Sequence, residues 1–362
     1  MENMLKRTVF IACFILSISF GYAQAPKYSN EFLSIGVGAR ALGMSNSTTA
    51  IVNDVTAGYW NPAGLVLVQS NIQLALMHSE YFAGIAKYDY GAFSAKIDDK
   101  SAMGLSIIRF GVDDIPNTTE LIDADGNLDY NRITSFSAID YGFLFSYSRK
   151  AKIEGLRYGA NIKVIHRKVG DFGKAWGFGI DIGAQYDYKK WKFAAFGKDI
   201  TTTFNAWSYS LSDKMIEAFT ITNNEIPSST TEITLPKLIL AGGRNFEIGK
   251  NFNALVDLDV DLTFDGKRNV LVKSDPISID PHLGVEFGYK DIVFLRGGVG
   301  NIQDESNMDG KVVKTFQPNM GVGIKIKNNI CIDYALTDIG NTSIALYSNV
   351  FSLKFNINRK EK

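Results

Sequence analysis

Asp257, Asp259 and Asp261 stand at alternate positions in ALVDLDVDLTF. In an extended strand, alternate side chains share a face, so three like charges would crowd one surface. Such a row needs water, a cation or paired bases. It therefore reads either as a polar conduit or cation site, or as an ion-paired row with Arg40 as one candidate partner. DADGNLD offers a second oxygen set, in which Asp123, Asp125 and Asp129 could ligate calcium. It lacks the later bidentate glutamate of an EF-hand, and a plain Asp-Gly turn at the tip of an external hairpin accounts for it better. His78, His166 and His282 have no paired serine and no converging carboxylates, so no hydrolase is expected. Two cysteines and three histidines do not make a Cys–His metal site, and nothing calls for a cofactor.

The elements that must carry these residues are strands. In AWGFGIDIGAQYDY one phase reads Trp176, Phe178, Ile180, Ile182, and the other reads Ala175, Gly177, Asp181, Gln185. IDPHLGVEFGY, FQPNMGVGIKIK and the last segment, from Phe351 to Ile357, repeat the period of two. The runs reach roughly the 9–11 residues needed to cross a bilayer at a tilt, longer than the ~5–6 of a common sandwich strand. Small and charged residues share one phase, as a polar lumen requires, and the apolar phase would face outer-membrane lipid. Starts near residues 71, 85, 101, 135, 156, 175, 191, 236, 252, 279, 291, 316, 329 and 349 give about fourteen strands. Every second connection is tight, and the long ones all fall in the alternate set. The expected fold is an all-β transmembrane antiparallel barrel with both termini periplasmic. Pro236, Pro281 and Pro318 are expected at outer strand ends. Tyr186, Tyr188, Trp191 and Tyr289 should form a periplasmic aromatic rim, with Trp176 at the outer one.

The expected organisation is a signal peptide over 1–23, an N-terminal hatch over 24–70, the barrel over 71–358 and a short tail over 359–362. Lys6 and Arg7, the apolar run from Thr8 to Phe20 and the small residues after it read as an export signal. Formal charge is 38 basic against 38 acidic, and 36 against 37 without Glu2, Lys6 and Arg7. No basic field exists to hold nucleic acid. Cys331 reads as a small lumen-facing residue.

A barrel of this size is too wide for its own side chains to fill. YWNPAGL supplies Tyr59, Trp60, Asn61, Pro62, Ala63 and Gly64 at the end of the segment best placed to plug it. Pro62 fixes backbone and Gly64 permits a tight turn, while Tyr59 and Trp60 could wedge against the wall.

FLSIGVGARALGMSNSTTAIVNDVTAGYWNPAGL, Phe32 to Leu65, resembles the opening signature of the PorV/PorQ family of FadL-like outer-membrane barrels. GLSIIRFGVDDIPNT, HLGVEFGYKDIVFLRGGV and the DIGNTS…FSLKF ending extend the resemblance over nearly the whole mature chain. The resemblance implies a fourteen-stranded barrel of a Bacteroidota-type outer membrane. It implies a hatch bearing Asn61, Pro62 and Ala63. PorV-like members serve type IX secretion by binding the translocon or cargo C-terminal domains, and that is the first functional expectation. The alternative is FadL-like uptake of a hydrophobic small molecule. Two loops bear on the choice. An external loop carrying Phe204, Trp207, Tyr209, Met215 and Phe219 reads as a binding surface or as a cap over the barrel mouth. The third external loop, Val169 to Lys174, is very short, which departs from the paired loops that form the capture groove of FadL-like transporters.

Overall fold

Alternating apolar and polar residues dictate sixteen strands, here seen in a computed structural model that describes residues 29–82, 84–121, 127–306, 309–327, 329–339 and 347–358. The expected signal segment, Asp123, Asp125 and the tail lie outside the described residues. The first nine strands are β1 (Ile72–Tyr81), β2 (Ala86–Asp98), β3 (Ser101–Asn117), β4 (Thr134–Lys150), β5 (Leu156–Val169), β6 (Gly173–Tyr188), β7 (Trp191–Lys198), β8 (Thr203–Tyr209) and β9 (Thr231–Thr234). The rest are β10 (Lys237–Ile248), β11 (Phe252–Thr263), β12 (Ser278–Tyr289), β13 (Val293–Ser306), β14 (Val312–Ile326), β15 (Ile330–Thr337) and β16 (Ser348–Ile357). Three short helices are α1 (Ala39–Leu42), α2 (Ala57–Trp60) and α3 (Asp213–Ile221). None of the described helices is long and apolar enough to cross a membrane.

Strands β1–β7 and β10–β16 pair antiparallel in one ring, which β1–β16 and β5–β6 pairing closes. The ring has the fourteen strands that the alternation implies. Closure leaves this ring without an edge strand, which is the condition for a sheet to lie in lipid. The two faces follow the period: Trp176 is 56% exposed and Asp181 1%. Tyr186, Tyr188, Trp191 and Tyr289 lie exposed beside the short turns.

Two expectations about strand ends are corrected. The 201–235 connection is not simply a loop. β8 pairs with residues 173–178 of β6, beyond the 182–188 stretch held by β7, so β7 and β8 are two halves of one interrupted strand. β9 and β10 are a matching pair, interrupted at Leu235 and Pro236. Asp199 and Thr202 turn the chain at the first interruption with φ of 56° and 61°. Lys163 pins it, with its Nζ 2.9 Å from Asp181 and 2.6 Å from Asp199. Pro318 lies inside β14 rather than at its outer end, because β14 starts at Val312. It is tolerated where β15 has already ended.

Candidate functional site

Residues 29–70 form α1, α2 and a 3-10 turn, Pro62–Leu67, and most of them are buried. Apolar side chains of this segment, including Leu33, Val37, Trp60 and Leu65, pack on inward residues of β2 to β5, β15 and β16, such as Tyr88, Ile108, Leu144 and Val350. The segment also hydrogen-bonds to the wall on several sides. Gln185 on β6 donates to the carbonyls of Thr49 (2.9 Å) and Val52 (3.2 Å), and Asn161 on β5 donates to Gly58 (2.9 Å). Ser148 on β4 donates to Ala63 (2.9 Å).

YWNPAGL divides its labour differently from the wedge first expected. Tyr59 and Trp60 stack edge to face at 4.9 Å and staple the segment to itself. The Tyr59 hydroxyl donates to Leu33 O (2.6 Å) and Trp60 Nε1 donates to Val37 O (2.9 Å). Burial pushes the Tyr59 phenol well up, so it remains a donor. Asn61 faces the wall instead. Its Oδ1 accepts from Ala63 N (3.1 Å), and its Nδ2 donates to Ala184 O (3.2 Å). Gly64 is needed for close approach, since a β-carbon there would stand 2.3 Å from Val52 O.

The wall of β12 to β16 holds the segment by charge. Asp54 pairs with Lys354 on β16, both well buried. Burial pushes the Asp54 carboxyl up, but Lys354 and Arg40 outweigh it and hold it well below the usual carboxylate range. Arg40 corrects the expectation that it neutralises the aspartate row. It binds Glu286 on β12 through two nitrogens, each at 2.9 Å. Glu286 also accepts from Arg296 (2.6 Å), which reaches Asp333 (2.6 Å). Arg40 therefore completes a chain of four alternating charges.

The aspartate row does face inward, with three different fates. Asp261 pairs with Lys237 at 2.5 Å. Asp259 Oδ2 accepts from the Thr48 and Thr49 amides (3.2 and 3.0 Å), while its Oδ1 has no partner among the described residues. Neither carboxylate oxygen of Asp257 has one either.

Two cavities flank the segment. The one toward the long loops measures about 470 Å³ and is lined by Trp60, Phe196, Lys198, Asp259, Asp280 and Asp338 among others. The one toward the short turns measures about 460 Å³ and includes Arg40, Asp54, Arg296, Asp333 and Lys354. The turn at 43–47 lies on the wall: Ser47 Oγ donates to Asp257 O, and Asn319 Nδ2 donates to Ser45 Oγ, both at 2.7 Å. Sequence reading missed this turn and Lys198, whose Nζ donates to Leu33 O (3.3 Å) over the Tyr59 ring. Only their place in the closed ring gives them a role.

The expected aromatic loop is not one surface. Phe204, Trp207 and Tyr209 lie on β8, so alternation splits them. Phe204 is exposed, whereas Trp207 is buried and stacks on Tyr209 under the Arg167 guanidinium. Met215 and Phe219 are half-buried on α3. The histidines do not converge: His78 bonds Asp89, His166 stacks on Trp176, and His282 lies near Asp280. Cys331 lines the short-turn cavity. Asp129 caps a turn and pairs with Arg132.

No family model matches the chain, and no curated protein matches it in sequence. Solved structures do. The CymD monoaromatic hydrocarbon channel is similar with a TM-score of 0.56 at 14% identity, over 90% of this chain and 99% of that one. The Ralstonia pickettii toluene transporter TbuX scores 0.55 at 14% identity, over 89% and 99%. A Pseudomonas aeruginosa FadL homologue scores 0.50 at 12% identity, over 88% and 98%. Likeness at this identity establishes architecture: the chain has the closed antiparallel barrel fold of these proteins.

Proposed function

We propose that this protein is a non-enzymatic outer-membrane barrel that passes a small molecule inward, with residues 29–70 as its hatch. The long loops then face outward, and both termini lie in the periplasm. The observation that carries this reading is the pair of cavities on either side of the segment, one toward the long loops and one toward the short turns. One is a receiving chamber of a size suited to small ligands and the other an exit chamber, with the segment between them. The fold likeness to hydrocarbon and toluene channels supports the same reading. On the exit side the segment is held by the Arg40–Glu286 and Asp54–Lys354 ion pairs, whose residues line the second chamber.

The secretion role implied by the sequence resemblance has no comparable support. The external loop that read as a binding surface or a cap does not present its aromatics together, since Trp207 is buried and stacks on Tyr209. The test is to purify the protein in mild detergent from its native membrane and identify what accompanies it. A bound small organic molecule is the expected result. Stoichiometric secretion components, with no small molecule, would overturn the reading.

A further inference from the structure

Arg244 on β10 faces outward, not into the lumen. Leu240, Phe246 and Ile248 share its face and are exposed, while Ile239 on the other face is buried. Across the sheet Arg244 pairs with Trp191 on β7 and Val256 on β11. Trp191 opens β7 directly after the turn at Lys189 and Lys190, so the arginine stands level with that short turn. A cation on the lipid face of a barrel is costly unless a polar group meets it. The guanidinium carbon lies 4.7 Å from the Trp191 ring centre and 5.0 Å from that of Phe246. The two rings hold the group in place but offer no hydrogen-bond acceptor in their planes. No carboxylate lies within ion-pair distance of it among the described residues. The nearby acids are engaged elsewhere, Glu247 by Lys190 and Asp187 by Arg157 and Lys192. Nε is enclosed, whereas the two Nη nitrogens stay accessible and also have no partner among the described residues. Lys189, over the Tyr188 ring, adds a second positive charge at the same rim.

A furrow leads away from this arginine. Gly242 lies two residues back along the same face, toward the middle of the bilayer, and pairs with Phe193 on one side and Leu258 on the other. Both of these large side chains are 45% exposed, and a β-carbon on Gly242 would meet nothing within 4 Å. We propose that Arg244 and the furrow bind a phospholipid of the leaflet at the short-turn rim, its phosphate on the two Nη groups and one acyl chain along Gly242. A planar guanidinium takes two phosphate oxygens at once, and a phosphodiester brings the acceptors and the negative charge that this face lacks. A free anion would meet the arginine and leave the furrow empty. The inference needs only that the barrel lies in a bilayer, and it is independent of what passes through the lumen.

The test is native mass spectrometry of the full chain in an uncharged detergent, titrated with dioleoylphosphatidylglycerol or with dioleoylglycerol, which has the same chains and no phosphate. The phospholipid should bind about tenfold tighter, the value of one charge-assisted contact, and excess inorganic phosphate should not displace it. Arg244→Gln should retain one phospholipid fewer than the parent protein and lose the preference over dioleoylglycerol. Gly242→Leu fills the furrow and keeps the arginine, so it is the second variant should the first fail to fold, and it should weaken phospholipid binding about threefold or more. Equal binding of the two lipids overturns the inference, as does a preference that Arg244→Gln keeps or binding that Gly242→Leu leaves unchanged. Displacement by inorganic phosphate would make this an anion site and also overturns it.

Discussion

Asn61 and Gly183 meet so closely that a β-carbon on Gly183 would stand 2.0 Å from Asn61 Oδ1. The N-terminal segment is thus seated on β6 through the asparagine of its Asn-Pro-Ala triplet. Gly183→Ala should push the segment off the wall at a cost of about 1–3 kcal/mol, as overpacking does. Gly242, with nothing within 4 Å of its added β-carbon, is the matched control. Thermal unfolding in detergent should show a lower midpoint for Gly183→Ala and little change for Gly242→Ala.

The Asp54–Lys354 pair makes seating of the segment depend on acidity. Lys354 and Arg40 hold the Asp54 carboxyl below its unfolded range, against the pull of burial. A depressed carboxyl adds stability that is complete above about pH 4 and is lost as pH falls through the lower folded value. Melting temperature should therefore drop steeply in that acidic window, and Asp54→Asn should flatten the drop. Lys354→Met, which strands a buried carboxylate, should cost about 3–5 kcal/mol near neutrality.

Lys163 gives a parallel case within the wall. It is 2% exposed and neutralises both Asp181 and Asp199 at the break between β7 and β8. Lys163→Met should destabilise by about 3–5 kcal/mol, since it leaves two buried carboxylates. Adding Asp181→Asn and Asp199→Asn should restore much of the loss. A triple variant no more stable than the single one would mean that packing, not charge, holds the break.

Much of this architecture is legible in the sequence because a barrel has one strict rule, the period of two. Trp176 against Asp181 and the lysine-rich short turns place the strands to within a few residues. The same period runs through TFNAWSY, but seven residues inside a long connection are a weak signal, so Phe204 and Trp207 read as one surface although they lie on opposite faces of β8. Charge partners were less legible. Arg40 lies far from both Glu286 and the aspartate row in sequence, and only closure of the ring decides between them. The 43–47 turn carries no motif, because its contacts are to the backbone and small residues of β11 to β14.

Removing the segment should open the barrel. With 34–65 deleted, planar bilayers should show stable conducting steps, since the wall alone leaves the lumen unfilled. The intact protein should show few. A deletion variant that inserts yet stays closed would reject residues 29–70 as the plug.

The central claim is passage of a small molecule through the lumen. It is tested most directly by uptake into liposomes that contain the intact protein, using benzylamine and benzoate at a pH where each is charged and crosses lipid slowly. The account predicts saturable uptake of at least one of them above protein-free liposomes. Uptake no faster than through lipid alone, from protein whose 34–65 deletion variant conducts ions in the same lipid, would contradict it.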